Sequence, residues 1–239
     1  MMSKIKGVLI DVGKTIVTNR VLSFKNGLKA IYEISDKAIS FDQFYQIHLK
    51  LHEITFAYLR RFNNEMRLTD YLIALNNLCN IKIERPIEEI EDIFQKNMVE
   101  EELIDGIVDL LEFFSSANIP VIAVSNSCIS GRALSVEFAE LGILKYFKKI
   151  ISSADIYICK PRKEIFEYAI GQLKKITKDA TIANDEIIFI GNDYNCDCIG
   201  AKNVGLKAIW FNQTNSVDTY NICDLIINSY SQLLDNLEA

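Results

Sequence analysis

The chain has 239 residues, with 26 Lys and Arg against 32 Asp and Glu, a formal net charge of −6, and 49% hydrophobic residues. This is ordinary globular composition, which excludes a disordered, collagen-like or mucin-like chain; a chain of this size buries roughly 70–75% of its unfolded surface and folds without covalent staples. The acidic balance argues against a nucleic-acid binder that works mainly by charge, which needs a basic face, but it leaves room for a local basic pocket around an anionic substrate.

The first apolar run, Gly7 to Ile10, stops at Asp11. It is too short for the core of a signal peptide, and no run in the chain approaches the about 20 residues of a membrane span. A cytoplasmic protein without membrane association is the expectation. Val8-Leu9-Ile10 reads as a strand ending on a carboxylate. From about residue 20 to 97 the rhythm changes. Phe44, Ile47, Leu51, Ile54 and Tyr58 recur at spacings of three or four, so the stretch Phe41 to Asn80 reads as mostly helical. A further helix follows Pro86, with Ile87, Ile90, Ile93 and Phe94 on one face, and no strand pattern is present in this segment. Alternation of strands and helices resumes near Leu103. Pro120 to Val124 runs into Ser125-Asn126, and Ile187 to Ile190 runs into Gly191-Asn192-Asp193. Lys207 to Phe211 and Asp224 to Ile227 complete the strands.

Continuous apolar strands separated by helices predict an α/β fold whose parallel sheet is covered on both faces. Ligands in such sheets bind beyond the C-terminal strand ends. The expected division is an α/β core from residues 1–17 and 101–239, and an all-helical insert of residues 18–100. The six cysteines (Cys79, Cys128, Cys159, Cys196, Cys198 and Cys223) read as reduced thiols, because a core this large needs no disulfide framework. The Cys196/Cys198 spacing is not the usual one for zinc. His48 and His52 stand four apart, which suits a metal on a helix, but no third ligand is evident and they read as packing residues. Arg60, Arg61 and Arg67 read as a solvated helix face.

The strand ends carry, in order, Asp11-Val12-Gly13-Lys14-Thr15, then Ser125-Asn126, then Cys159-Lys160-Pro161, then Gly191-Asn192-Asp193 with Asp197, followed by Gly200-Ala201. This series resembles the four motifs of the haloacid dehalogenase superfamily, and the helical insert after the first motif resembles a common cap of that superfamily. The resemblance implies a Rossmann-like core, a Mg²⁺ cofactor and a small phosphorylated metabolite as substrate. It implies that Asp11 is a nucleophile forming an aspartyl-phosphate, and that Lys160 balances nucleophile and phosphate. Ser125 would bind phosphate through its hydroxyl, joined by backbone N–H groups near Gly13 and Asn126. Lys14 and Thr15 belong to the same loop, and Lys14 either adds charge over the phosphate or faces solvent. The metal ligands would be Asp11, the Gly13 carbonyl and a residue of the last motif, since Mg²⁺ takes oxygen ligands. Asp193 with Asp197 forms the favoured acidic pair, while Asn192 falls where many relatives carry their first Asp.

One departure from the pattern concerns mechanism. Phosphatases of the superfamily usually carry an acid two residues after the nucleophile, and here that residue is Gly13. A positioned acid contributes about 10²–10⁴-fold. The alternatives are therefore a dehalogenase- or phosphonatase-like relative, a non-catalytic binding protein of the same fold, or a phosphatase in which Lys14 or a cap residue supplies the proton.

Overall fold

The computed structural model describes residues 5–238; residues 1–4 of the expected core segment, and Ala239, lie outside them. The chain begins with β1 (Gly7–Ile10) and β2 (Val17–Leu22), passes through α1 (Phe24–Glu33), α2 (Phe41–Ile54), α3 (Phe56–Arg60), α4 (Leu68–Cys79) and α5 (Ile87–Met98), and returns on β3 (Val99–Leu103). The remainder alternates: α6 (Ile107–Ser116), β4 (Val121–Ser125), α7 (Gly131–Glu140), β5 (Phe147–Ser152), α8 (Ser153–Ile156), α9 (Lys163–Thr177), β6 (Ile187–Gly191), α10 (Gly200–Asn203), β7 (Lys207–Phe211), β8 (Leu225–Ile227) and α11 (Tyr230–Glu238).

Six strands form one sheet in the order β5-β4-β1-β6-β7-β8, and every neighbouring pair is parallel. Successive strand residues point to opposite faces, so an unbroken apolar strand needs cover on both. In β1, Val8 and Ile10 join a core with Leu110, Phe114 and Phe138 from α6 and α7. Leu9 joins a second core with Phe166, Ala169 and Leu173 from α9. The strand order places the ends of β4, β1 and β6 side by side, which brings Ser125, Asp11 and the Asn192-Asp193 turn to one edge.

The structure differs from the sequence reading in two elements. The helical insert is bounded by an antiparallel ribbon in which Val17 pairs with Leu103 and Asn19 with Glu101. Its strands, VTNRVL, largely exposed, and VEEEL, mostly half-buried, are charged, so no apolar alternation marks them. The strand β5, FKKIIS, is also unmarked; it lies at the sheet edge, where lysines are tolerated and protect against pairing with other chains.

The insert has its own core. Phe24 stacks on His48 with ring centroids 5.2 Å apart, meets Phe94 edge-on at 4.7 Å, and His48 Nδ1 lies 2.7 Å from the Tyr71 hydroxyl. Main-chain bonds seat the insert on the sheet domain: Glu65 N–H donates to Tyr157 at 3.1 Å, Cys159 N–H to Asn63 at 2.9 Å and Leu68 N–H to Cys128 at 2.8 Å. Buried Glu91 of α5 accepts from the backbone N–H and hydroxyl of Ser130 at 2.8 and 2.6 Å, at the N-terminus of α7. Among the described residues, no helix is long and apolar enough to cross a membrane.

Candidate active site

Asp11 follows the last residue of β1, and its N–H donates to Ile190 of the neighbouring strand at 2.9 Å. The side chain therefore projects from the sheet edge at a fixed place. Its two oxygens have different surroundings. Oδ1 accepts from Lys160 Nζ at 2.6 Å, and Oδ2 accepts from the Thr15 hydroxyl at 2.9 Å. Thr15 is itself fixed, since its carbonyl accepts from the hydroxyl of buried Tyr230 on α11, a support that the sequence reading did not include.

Lys160 is 2% exposed. Its ammonium also donates to Asp197 Oδ1 at 2.8 Å and to the Val124 carbonyl at 3.0 Å. All three ammonium protons are thereby matched. Burial disfavours the charge, but the Asp11 and Asp197 carboxylates outweigh it and hold the lysine pKa above its ordinary value. Burial pushes the Asp197 carboxyl up, with Lys160 acting against that shift. Gly191 makes room for Asp197: a Cβ there would stand 2.4 Å from the carboxyl carbon.

Asn126 holds Lys160 from behind. Its amide oxygen accepts from the Lys160 N–H at 2.8 Å and its amide nitrogen donates to the Lys160 carbonyl at 3.0 Å. Both ends of this side chain are thus committed to the lysine backbone rather than turned toward a ligand. Ser125 lines the cavity, and its hydroxyl has no side-chain or backbone partner among the described residues. Lys14 is exposed, with φ of 59°, and also borders the cavity.

The last motif divides its roles. One terminal atom of the Asn192 amide lies 3.0 Å from the Gly13 carbonyl oxygen and 3.3 Å from Asp11 Oδ2. As nitrogen it donates to both. As oxygen it completes a triplet of oxygens converging on one point, the donor chemistry a hard divalent cation takes. The Asn192 carbonyl accepts from the Trp210 indole at 3.0 Å, which fixes the turn. Asp193 instead accepts from the N–H groups of Asn195 and Cys196 at 2.9 and 2.8 Å, capping the helical turn that follows. Asp197 Oδ2 accepts from the Asp193 N–H at 2.9 Å. The geometry thus turns Asn192, not Asp193, toward Asp11 and Gly13, and sets Asp197 beside Lys160.

These groups form the floor of a cavity of about 680 Å³. Its other walls come from the insert and the ribbon: Phe24, His52, Phe56, Arg60, Gln95 and Glu101. Arg60 and His52, which the sequence reading placed on a solvated or packed face, border this cavity. Glu101 escaped sequence reasoning altogether, because it sits in a run of three glutamates that reads as a solvated surface.

A family model described as haloacid dehalogenase-like hydrolase matches residues 5–205. The chain is 26% identical over 110 residues to the pyrimidine 5'-nucleotidase YjjG of Escherichia coli (strain K12), covering 46% of this chain and 44% of that protein. It is 30% identical over 97 residues to the glyceraldehyde 3-phosphate phosphatase of Pyrococcus furiosus, covering 39% of this chain and 38% of that protein. Each match thus spans less than half the relative's length. Among solved structures, an HAD phosphatase from Thermococcus onnurineus superposes with a TM-score of 0.63 at 20% identity, covering 98% of both chains. A 2-haloacid dehalogenase from Pseudomonas syringae pv. Tomato DC3000 superposes with a TM-score of 0.64 at 18% identity, again covering 98% of both; at such identities the likeness is one of fold.

Proposed function

The chain belongs to the haloacid dehalogenase-like hydrolase family, and we propose that it is a Mg²⁺-dependent phosphatase of a small phosphorylated metabolite. The observation that carries this reading is the division of Asp11: Lys160 on Oδ1, and on the Oδ2 side the Gly13 carbonyl and the Asn192 amide. A carboxylate attacking a phosphoryl dianion meets like-charge repulsion; Lys160 offsets it on one flank, and a divalent cation held by the oxygens of the other flank would offset it there. Attack on an uncharged carbon–halogen bond has no such requirement. The two curated relatives, a nucleotidase and a phosphatase by name, support the same reaction class.

In this reading Asp11 Oδ2, the Gly13 carbonyl and the Asn192 amide oxygen would hold Mg²⁺, which would supply neutralisation of phosphate charge. With one carboxylate and two neutral oxygens, the set fits a hard cation but binds it weakly. Asp11 attacks phosphorus in line, Lys160 stabilises the oxygens as charge develops, and the Ser125 hydroxyl donates to a phosphate oxygen. Water then releases phosphate from the aspartyl-phosphate. Residues 18–100 act as the cap, presenting Phe24, His52, Phe56 and Arg60 to the rest of the substrate. The six free cysteines support a reducing, cytoplasmic setting.

Release of inorganic phosphate from a panel of phosphorylated metabolites, with Mg²⁺ and with EDTA, tests the reading. The expected result is turnover that needs the metal and disappears in Asp11→Asn. Undiminished turnover in that variant removes Asp11 as the nucleophile; halide release in place of phosphate favours the dehalogenase alternative.

A further inference from the structure

In-line displacement puts the leaving oxygen on the side of phosphorus opposite Asp11. A proton donor for that oxygen must therefore come from the cavity wall facing the sheet edge. Gly13 offers nothing there.

Among the titratable groups of that wall, Arg60 keeps its proton at any relevant pH. His52 is pushed down by burial and then by Arg60, so it is neutral and a poor acid. Glu101 differs from both. It stands on β3 opposite Asn19, one strand repeat from the Val17–Leu103 pair, and Val17 is bridged to Gly13. The ribbon thus ties the strand that carries Glu101 to the loop that follows Asp11. Its carboxyl group is a neighbour of that of Glu137 on α7, which raises its affinity for a proton. Two carboxyl groups that share a buried site resist ionising together, so one of them is held protonated. The Glu137 end is fixed, because it also accepts from the Gln95 amide on α5. Both carboxyl groups line the cavity that contains Asp11 and Lys160.

We propose that Glu101 is the general acid of this site, donating its proton to the leaving-group oxygen in place of the residue that Gly13 lacks. This rests on the phosphatase reading above. As Asp11 forms its bond to phosphorus, the bond from phosphorus to the leaving oxygen breaks with its electron pair. That oxygen takes the Glu101 proton and departs as an alcohol. In the second step water attacks phosphorus, the bond to Asp11 breaks, and the water proton returns to the Glu101–Glu137 pair. Atoms and charge balance over the cycle.

The surroundings of the pair favour the protonated form. Asp92 and Lys96 of α5, Glu100 of β3 and Glu140 of α7 border the cavity behind it, three acids against one base. Burial, and then the neighbouring Glu137 carboxyl, push the Glu101 carboxyl up to about 9. It therefore holds its proton at neutral pH, where an isolated glutamate would not.

The test compares two esters of similar shape, benzyl phosphate, which leaves as a basic alkoxide, and 4-nitrophenyl phosphate, which leaves as a stable phenolate. Glu101→Gln keeps the shape and hydrogen bonding of a protonated carboxyl, so the fold is retained. It should lower kcat on benzyl phosphate by about 100-fold, within the range for acid catalysis, while changing 4-nitrophenyl phosphate by less than about threefold. Glu137→Gln should move the alkaline limb of the benzyl phosphate profile to lower pH, because it removes the charge that keeps Glu101 protonated. A carboxyl ¹³C titration should find a resonance that is lost in Glu101→Gln and titrates near 9. Equal losses on both esters, or selective loss in Lys14→Met with Glu101→Gln unaffected, overturn the proposal and leave the phosphatase reading standing. Phosphate release from neither ester by the wild type overturns the phosphatase reading, and the acid role falls with it.

Discussion

The Lys160 ammonium stands 2.6 Å from Asp11 Oδ1 and 2.8 Å from Asp197 Oδ1, so one buried cation holds two carboxylates that come from different strand ends. The site is arranged around this lysine. Removing a partner from a buried ion pair leaves an uncompensated charge, which costs more than the pair contributes.

Lys160→Met should therefore lower stability by about 3–5 kcal/mol, besides abolishing turnover. Asp11→Asn should be milder, because Asp197 remains to pair with the lysine. Urea unfolding of the two variants against the wild type measures the difference; equal stabilities would show that the triad is not held by this charge balance.

Metal affinity distinguishes the two candidates of the last motif. Asn192→Asp adds a carboxylate to the oxygen triplet and should tighten Mg²⁺ binding by about tenfold, since charge count tunes such sites. Asp193→Asn should leave the Mg²⁺ titration almost unchanged and cost about 1 kcal/mol or less through its capping role. The reverse pattern in a titration of activity or heat would return the ligand role to Asp193.

Gly13 has open space at its side chain: nothing lies within 4 Å of a Cβ built there. Gly13→Asp should fit, and in the Glu101→Gln background it should restore benzyl phosphate turnover by about tenfold or more. The gain in the wild-type background should be smaller, because an acid is already present. Equal gains in both backgrounds would mean that Glu101 supplies no proton.

Stability should fall on both sides of a pH optimum. Burial, with a smaller contribution from His52, lowers the His48 pKa from 6.5 to about 4, so the unfolded chain binds more protons and stability drops as pH falls through that window. Glu101 is raised from 4.5 to about 9, so here the folded chain binds more protons. Its contribution is complete below about 4.5 and is lost as pH rises to about 9. Tm measured across this range should show both limbs, with His48→Gln flattening the acid limb and Glu101→Gln the alkaline one.

Much of this was legible in the sequence because it is local. An apolar strand followed at once by a polar turn, as at Ile10-Asp11, Val124-Ser125 and Ile190-Gly191, encodes both a buried strand and a chemical group at its end. The helical insert follows from the spacing of Phe44, Ile47 and Leu51, while the strand order is a finding of the structure. The ribbon of β2 and β3 and the edge strand β5 were not legible, because exposed strands carry no apolar pattern.

The sequence by itself determined the α/β fold and the position of the helical insert, since each depends on neighbours within a few residues, while Asp11 as candidate nucleophile came from the resemblance of its motif to a family. Which polar groups meet was decided only by the tertiary structure. Asn192 and Asp193 are adjacent, yet one turns to Asp11 and Gly13 while the other caps a helical turn, and Asn126 spends both ends of its amide on Lys160. Glu101 and Glu137 are far apart in sequence and unremarkable there. The fold brings both to the wall of one cavity, and the protonation of a carboxyl group depends on the burial and charge of whatever the fold brings against it.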